Sequence, residues 1–392
     1  MSAPSRSGCV DYSARSVKRW GLLAVAAFAA LAFGLAGTAT ASAPTVEARA
    51  YVVQSMVDGK TLAARNADEP RAMASITKLM TVLVALEHLP LDEVVTVPAA
   101  AARIGESSLG LRPGQRVPVH DLVIGALVPS ANDAATTLAI AASGSVSGFV
   151  AGMNRKARAL GLTRTRYRNP HGLDEAGHVS TAGDSAVLLR AALRDATIRR
   201  YVGMRRATLS DGRVVESTDN LIGAFPGFAG GKTGHTARAG WSQVALARSG
   251  GVGITAAVLG SPTEAQRDRD LVALLRYGLE QYRPSRVVDS ERAYARVAVG
   301  WGRAPLALVA PRTIVRPAPT GRPLVERVIA PAVAALPVRA GQRLGTVVVT
   351  DGPRVVARSP LVAARDQPEP TRAQKARWVA GRAVDRLVGL VS

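Results

Sequence analysis

A lysine placed inside an apolar run is the feature that most limits what this chain can become. Residues Ala72 to Leu86 are nearly all apolar, and within them Ser75-Ile76-Thr77-Lys78 sets a hydroxyl and an amine three positions apart. At helical pitch such positions share a face, so the Ser75 hydroxyl and the Lys78 amine point the same way. Ile76, Leu79, Met80, Val82, Leu83, Val84 and Leu86 surround the helix with apolar groups, which makes it central rather than amphipathic. Desolvation lowers the pKa of an amine, and a neutral amine beside a hydroxyl is a general base beside a nucleophile. The pair alone decides nothing, because S-x-x-K also occurs where a helix ends in an exposed lysine.

Two further stretches extend the pattern. Pro129-Ser130-Ala131-Asn132-Asp133 joins a short apolar helix, Asp121 to Leu127, to a second helical run, Ala134 to Ala142. Ser130 and Asn132 thus lie on a connection between helices, where Asn132 or Asp133 would equally serve as an N-cap. Phe228-Ala229-Gly230-Gly231-Lys232-Thr233-Gly234-His235-Thr236 precedes the extended runs Trp241 to Ala247 and Val252 to Leu259, which read as an antiparallel sheet. Strand alternation puts Lys232 and Gly234 on one face and Thr233 on the other. Lysine is scarce here and arginine abundant, yet Lys78 and Lys232 stand where an amine is wanted. Arginine could not deprotonate at such a site.

At 392 residues the chain has room for two domains. Its formal net charge of +21 admits nucleic acid, an anionic membrane or acidic polymers as partners. No basic block is interleaved with aromatics and no zinc-finger spacing occurs, so nucleic acid is not an expected partner. The one cysteine, Cys9, falls in a segment read as an export signal: basic Arg15, Lys18 and Arg19, then apolar Trp20 to Ala36, then small-residue cleavage sites. A cut after Ala41 leaves neither a disulfide nor a thiol nucleophile, and a retained membrane anchor is the alternative. His171, Asp174 and His178 could be imagined as metal ligands, but they read better as a polar glycine-containing loop. No metal or cofactor is expected.

The expected domains are an export segment over 1–41, a catalytic domain over 42–283, a small β domain over 284–365, and a linker with a helical tail over 366–392. A hairpin at Asp58-Gly59 opens the second of these, and a helix from Thr263 to Tyr282 closes it. Short runs at Ala295 to Val299, Leu306 to Val309, Leu324 to Ile329 and Leu344 to Val349 suggest the β domain. In the tail, Ala376, Ala380, Ala383, Leu387 and Val391 form a stripe away from Arg372, Lys375, Arg382 and Arg386. Such a helix suits an anionic membrane surface, or docks on its own domain.

S-x-x-K, S-x-N and K-T-G in this order are far more specific than any one of them. Ser75 to Lys78, Ser130-Ala131-Asn132 and Lys232-Thr233-Gly234-His235-Thr236 resemble the serine D-alanyl-D-alanine carboxypeptidases, the low-molecular-weight penicillin-binding proteins. His171-Gly172-Leu173-Asp174 and Asn220-Leu221 fit the same pattern. The resemblance spans Ala50 to Tyr282 and extends weakly to Pro337-Val338-Arg339-Ala340-Gly341-Gln342. It implies an α+β fold of the β-lactamase/transpeptidase type, antiparallel sheet with helices, then a small all-β domain and a C-terminal amphipathic helix. It implies removal of the terminal D-alanine from peptidoglycan stem pentapeptides, outside the cytoplasm at the outer face of its membrane, with β-lactams as inhibitors. Ser75 would be the nucleophile, Lys78 the base and Ser130 the proton relay. Asn132 would hold the substrate amide, Lys232 and Thr233 its carboxylate, and the backbone N–H groups of Ser75 and His235 the oxyanion. Gly234 would let the backbone approach, and the His235 side chain would pack beside the strand.

Three other readings compete. Glu216 to Asn220 has the E-x-x-x-N spacing of a β-lactamase deacylation glutamate, although it lies close to Lys232 rather than to Ser130. A scaffold that binds wall peptides without cleaving them is another. Gly105 to Gly110 misses the G-x-S-x-G of a Ser-His-Asp hydrolase by one position and reads as a loop.

Overall fold

The computed structural model describes residues 42–388, and the expected export segment, 1–41, lies outside them. The hairpin expected at Asp58-Gly59 pairs β1 (Ala50–Ser55) with β2 (Thr61–Arg65). Three strands from far along the chain complete an antiparallel sheet: β3 (Phe228–Thr236), β4 (Gly240–Ser249) and β5 (Val252–Ser261). The order is β2-β1-β5-β4-β3, which leaves the Lys232 strand at an edge. Alternation divides the apolar residues between two layers. Val52, Val244, Leu246, Ala257 and Leu259 face one core, and Val53, Ala245, Ala247, Ile254 and Val258 the other.

Five helices fill the first layer: α1 (Thr77–Ala85), α2 (Val119–Leu127), α3 (Asn132–Ser143), α4 (Val146–Ala159) and α5 (Ala182–Ala192). All of α1 except Leu83 is buried, Lys78 included, as an apolar run without a polar face requires. Ser75 lies just before it, in the 3-10 turn Ala74–Ile76. The helical run of α5 stops at Ala192. Asp195 then caps a new helix, Ala196–Tyr201, by accepting from the N–H groups of Thr197 and Ile198. The second layer is α6 (Glu264–Glu280), started by the Thr263 hydroxyl, which accepts from Gln266 N.

Directly after α6, β6 (Tyr282–Val288) begins, so the break expected near residue 284 falls inside a strand. The strands that follow are β7 (Ala293–Val297), β8 (Leu306–Val309), β9 (Ile314–Pro319), β10 (Val325–Ile329), β11 (Arg343–Asp351) and β12 (Arg354–Ala363). They form a second five-stranded sheet, β7-β8-β12-β11-β10, and a β6-β9 ribbon around a separate apolar core. The sequence showed nothing of β12, because Pro360 and its arginines argue against an interior strand. The tail helix α7 (Arg372–Val388) rests on the turn at Gly300 to Arg303, where Trp378 meets Trp301 edge to face with ring centroids 5.3 Å apart. Among the described residues no single helix is long and apolar enough to cross a membrane.

Candidate active site

Ser75 and Lys78 meet as their spacing requires: Lys78 Nζ is 2.7 Å from Ser75 Oγ and also donates to the His171 carbonyl oxygen at 2.8 Å. Lys78 is fully buried. Burial first, and then the charge of Lys232, hold its pKa well below the usual lysine value, against the opposing pull of Glu106 and Asp133. A neutral Lys78 has a lone pair available for the Ser75 proton.

The loop of residues 169–178 is stapled to α1. Thr81 Oγ1 donates to the Pro170 carbonyl, and Thr77 Oγ1 lies 2.8 Å from His178 Nε2. Arg168 N donates to His178 Nδ1, so Nε2 carries the proton and donates to Thr77. Burial pushes the His178 pKa down to about 4, against Glu175 and Asp174, and that of His171 to about 3. Both ring nitrogens of His178 are therefore engaged within the protein. Gly172 is required here, because a Cβ would lie 2.1 Å from the Ala74 carbonyl oxygen and its φ is +95°.

The second lysine reaches the same place from the sheet edge. Lys232 Nζ donates to Ser130 Oγ at 2.9 Å and to the Thr233 carbonyl at 3.2 Å. Its pKa is pushed down to about 7 by burial and by Arg267, with Asp219 acting the other way. Ser130 itself sits at φ +66°, a costly conformation for a residue with a side chain. Strand alternation holds: Lys232 and Gly234 face the helical layer, and a Cβ on Gly234 would come 2.9 Å from Ser75 N. Thr233 points the other way but, being on an edge, still borders the cleft and bonds Thr218 through its hydroxyl at 2.7 Å. The His235 ring stacks on Trp241 with centroids 4.1 Å apart, which is the packing role read from the sequence.

Asn132 is not a cap. Ala131 occupies that position, and Asn132 is the first residue of α3. Its Nδ2 donates to the Gly105 carbonyl at 3.0 Å, which leaves Oδ1 buried without a partner. Asp133 instead anchors the facing loop, accepting from Ser108 Oγ and from the N–H groups of Leu109 and Leu111. Gly105 to Gly110 is thus a wall of the cleft. Glu216 lies elsewhere, on an exposed hairpin, ion-paired with Arg206 at 2.8 Å.

Together these elements enclose a cleft of about 310 Å³ lined by Ser75, Ser130, Asn132, Thr233, Gly234 and His235. Sequence reasoning assigned no site role to six other lining residues: Glu106, Ser107, Thr218, Trp241, Glu264 and Arg267. Arg267 is almost fully buried in α6, paired with Asp268 and Glu264 and 5.7 Å from the Trp241 ring centroid. In an arginine-rich chain no spacing singled it out. A larger hollow of about 490 Å³, with Glu47, Arg49, Arg71 and Arg238 in its wall, contains neither serine nor either lysine.

Residues 37–263 match the family model described as D-alanyl-D-alanine carboxypeptidase. The chain is 32% identical over 333 residues to the D-alanyl-D-alanine carboxypeptidase DacF of Bacillus subtilis (strain 168), covering 82% of this chain and 86% of that protein. To DacC of Escherichia coli (strain K12), of the same description, it is 34% identical over 288 residues, 70% of this chain and 71% of the other. Among solved structures, DacD from Francisella tularensis superposes with a TM-score of 0.61 at 25% identity, covering 84% of this chain and 95% of that one. The Streptomyces K15 DD-transpeptidase matches at TM-score 0.58 and 28% identity, but over 61% of this chain and 99% of its own. The expected α+β fold with a C-terminal all-β region is the fold of these neighbours. With two lysine–serine pairs in one cleft and a matching family model over most of the sheet-and-helix region, the chain belongs to the D-alanyl-D-alanine carboxypeptidase family of serine peptidases.

Proposed function

We propose that this chain removes the terminal D-alanine from peptidoglycan stem pentapeptides through an acyl-enzyme on Ser75. One observation carries the reading: Ser75–Lys78 at 2.7 Å and Ser130–Lys232 at 2.9 Å open onto one cleft. Ser75 Oγ attacks the carbonyl carbon between the two D-alanines while neutral Lys78 takes its proton. Ser130 passes a proton to the departing nitrogen, the C–N bond breaks, and D-alanine leaves. Water then hydrolyses the ester and restores the serine.

Lys232 as an ammonium and the Thr233 hydroxyl hold the substrate's free carboxylate, which favours chain ends over interior bonds. Arg267 adds positive charge on the same side. The unpartnered Asn132 Oδ1 accepts the amide N–H of the penultimate D-alanine. Ser75 N–H and His235 N–H receive the oxyanion. The close approach of Gly234 to Ser75 N supports this, since a side chain there would fill the space the oxyanion needs.

Penicillins acylate Ser75 as mimics of the peptide end. The enzyme works outside the cytoplasm at the outer membrane face, where α7 lies on anionic lipid. Exposed Val379 and Val384 on a helix rich in arginine support that placement. The test is D-alanine release from a D-Ala-D-Ala peptide. Ser75→Ala should lose at least ~10³-fold in kcat, as expected for a missing nucleophile. Intact-mass analysis should find one penicillin adduct on the wild type and none on Ser75→Ala; an adduct surviving the substitution defeats the proposal.

A further inference from the structure

We propose that the hollow of about 490 Å³ at one end of the first sheet is an anion site, separate from the cleft, that takes a phosphate group. It lies where β1 begins, β5 ends and β3 turns into β4, and it shares no lining residue with the cleft. The site stands apart from the carboxypeptidase reading and does not depend on it. Three arginines, Arg49, Arg71 and Arg238, stand in its wall against one acid, Glu47. Guanidinium groups gathered in one wall repel one another unless they share an anion. Among the described residues neither Arg49 nor Arg238 has a carboxylate within ion-pair distance. Arg71, its side chain only 19% exposed, has Glu69 at 3.3 Å, and Glu69 itself is exposed.

The three arginines are held in place by contacts outside the sheet ladder. Arg71 exchanges backbone hydrogen bonds with Ser180, at 2.7 and 2.9 Å. Arg238 N donates to Asp174 Oδ2 at 3.1 Å, and Thr236 Oγ1 donates to the other oxygen of that carboxylate at 2.8 Å. The stem of Arg49 lies across Gly260, where a Cβ would come 3.3 Å from Arg49 Cβ, Cγ and Cδ. Gly240 lies next to Gly260 in the lining, at φ +62°, and a Cβ there would come 3.1 Å from Ser261 O. Two glycines thus keep the floor of the hollow clear beneath the arginine stem.

The charge balance selects the ligand. A guanidinium offers parallel donors that match two phosphate oxygens, and it stays charged at any working pH. Three of them against Glu47 leave more positive charge than one carboxylate neutralises, whereas a phosphate monoester, close to a dianion at neutral pH, balances it. The hollow is also larger than the cleft of about 310 Å³, which leaves room for the group to which the phosphate is esterified. A lipid headgroup and a soluble or polymeric phosphate ester both present this chemistry.

The test is isothermal titration of the whole chain with inorganic phosphate and with glycerol 3-phosphate, in chloride buffer at constant ionic strength. The wild type should bind each saturably at a single site. Arg49→Gln combined with Arg71→Gln should weaken both by at least about tenfold, and Glu47→Gln should tighten them about threefold. Arg238→Gln, at an exposed turn position, gives the same reading should the double variant fail to fold. Lys232→Gln should bind phosphate as the wild type does, since Lys232 belongs to the cleft. No saturable binding by the wild type, binding unchanged in the arginine variants, or binding lost in Lys232→Gln overturns the proposal. Flotation with phosphatidylglycerol vesicles separates the two sources. Weaker flotation of the arginine variant than of the wild type assigns the phosphate to a lipid headgroup, and equal flotation assigns it to a soluble or polymeric ester.

Discussion

The sheet behind the cleft and the sheet at the C-terminus are both five-stranded and antiparallel, yet they bury different things. Around the first, Lys78, Lys232, Arg267, Asp133 and Asp219 are all at most 4% exposed. The core of the second is aliphatic, built on residues such as Val297, Leu308, Val347 and Leu361. Backbone strain divides the same way: Ala74, Glu106 and Ser130 all have positive φ at or beside the cleft, whereas in the C-terminal region Trp301 alone among described non-glycine residues does. Glycines differ too. Gly172 and Gly234 stand where a Cβ would strike backbone atoms near Ser75, while Gly341 and Gly352 have positive φ in turns with open space around them. Buried charge and strained backbone each cost stability, so their concentration in one region marks where the fold gives up stability for chemistry.

The largest expected effect on this contrast comes from the glycines. Gly172→Ala should destabilise by more than ~4 kcal/mol, because it combines a backbone clash with an unfavourable φ. Gly352→Ala meets only the φ penalty of about 1–2 kcal/mol. Urea denaturation of the two variants measures the difference, and equal losses would abolish the distinction between the regions.

A second effect comes from pH. Lys232 has a pKa near 7 in the folded protein against an ordinary 10.5, so between those values the unfolded chain binds more protons. Its burial penalty is complete below pH 7, and stability rises with pH from 7 towards 10.5. Substrate binding should run the other way. As Lys232 loses its proton above pH 7 the carboxylate loses its partner, so KM should rise, with kcat less affected because bound carboxylate favours the ammonium. Lys232→Arg, which stays charged, should flatten the alkaline rise in KM; an unaltered profile would remove Lys232 from carboxylate binding.

The smallest catalytic effect should follow removal of residues 371–392. D-alanine release from a soluble peptide should stay within about twofold, since α7 contributes no residue to the lining of the cleft, while flotation with anionic vesicles should be lost. A truncated protein that still floats would assign membrane binding to a part of the chain other than α7.

Local spacing made the first half of the site legible. Ser75 and Lys78 are one helical turn apart, so any helix through them brings hydroxyl and amine together, and the apolar residues around them pointed to a buried amine, although the spacing alone left an exposed lysine open. The K-T-G strand and its edge-seeking glycines were equally local, and the order of the three motifs pointed to the family. What no local pattern contained was every contact made across the fold. Lys232 bonds Ser130 from 102 positions away, and His178 bonds Thr77 from 101. The freed Asn132 oxygen, the exposed Glu106 and the buried Arg267 beside Trp241 depend on how α3, the 105–110 loop and α6 close on one sheet edge. Side-chain period reports which face of one element is apolar; only packing of several elements decides which polar groups end up opposite each other, and which are left without a partner.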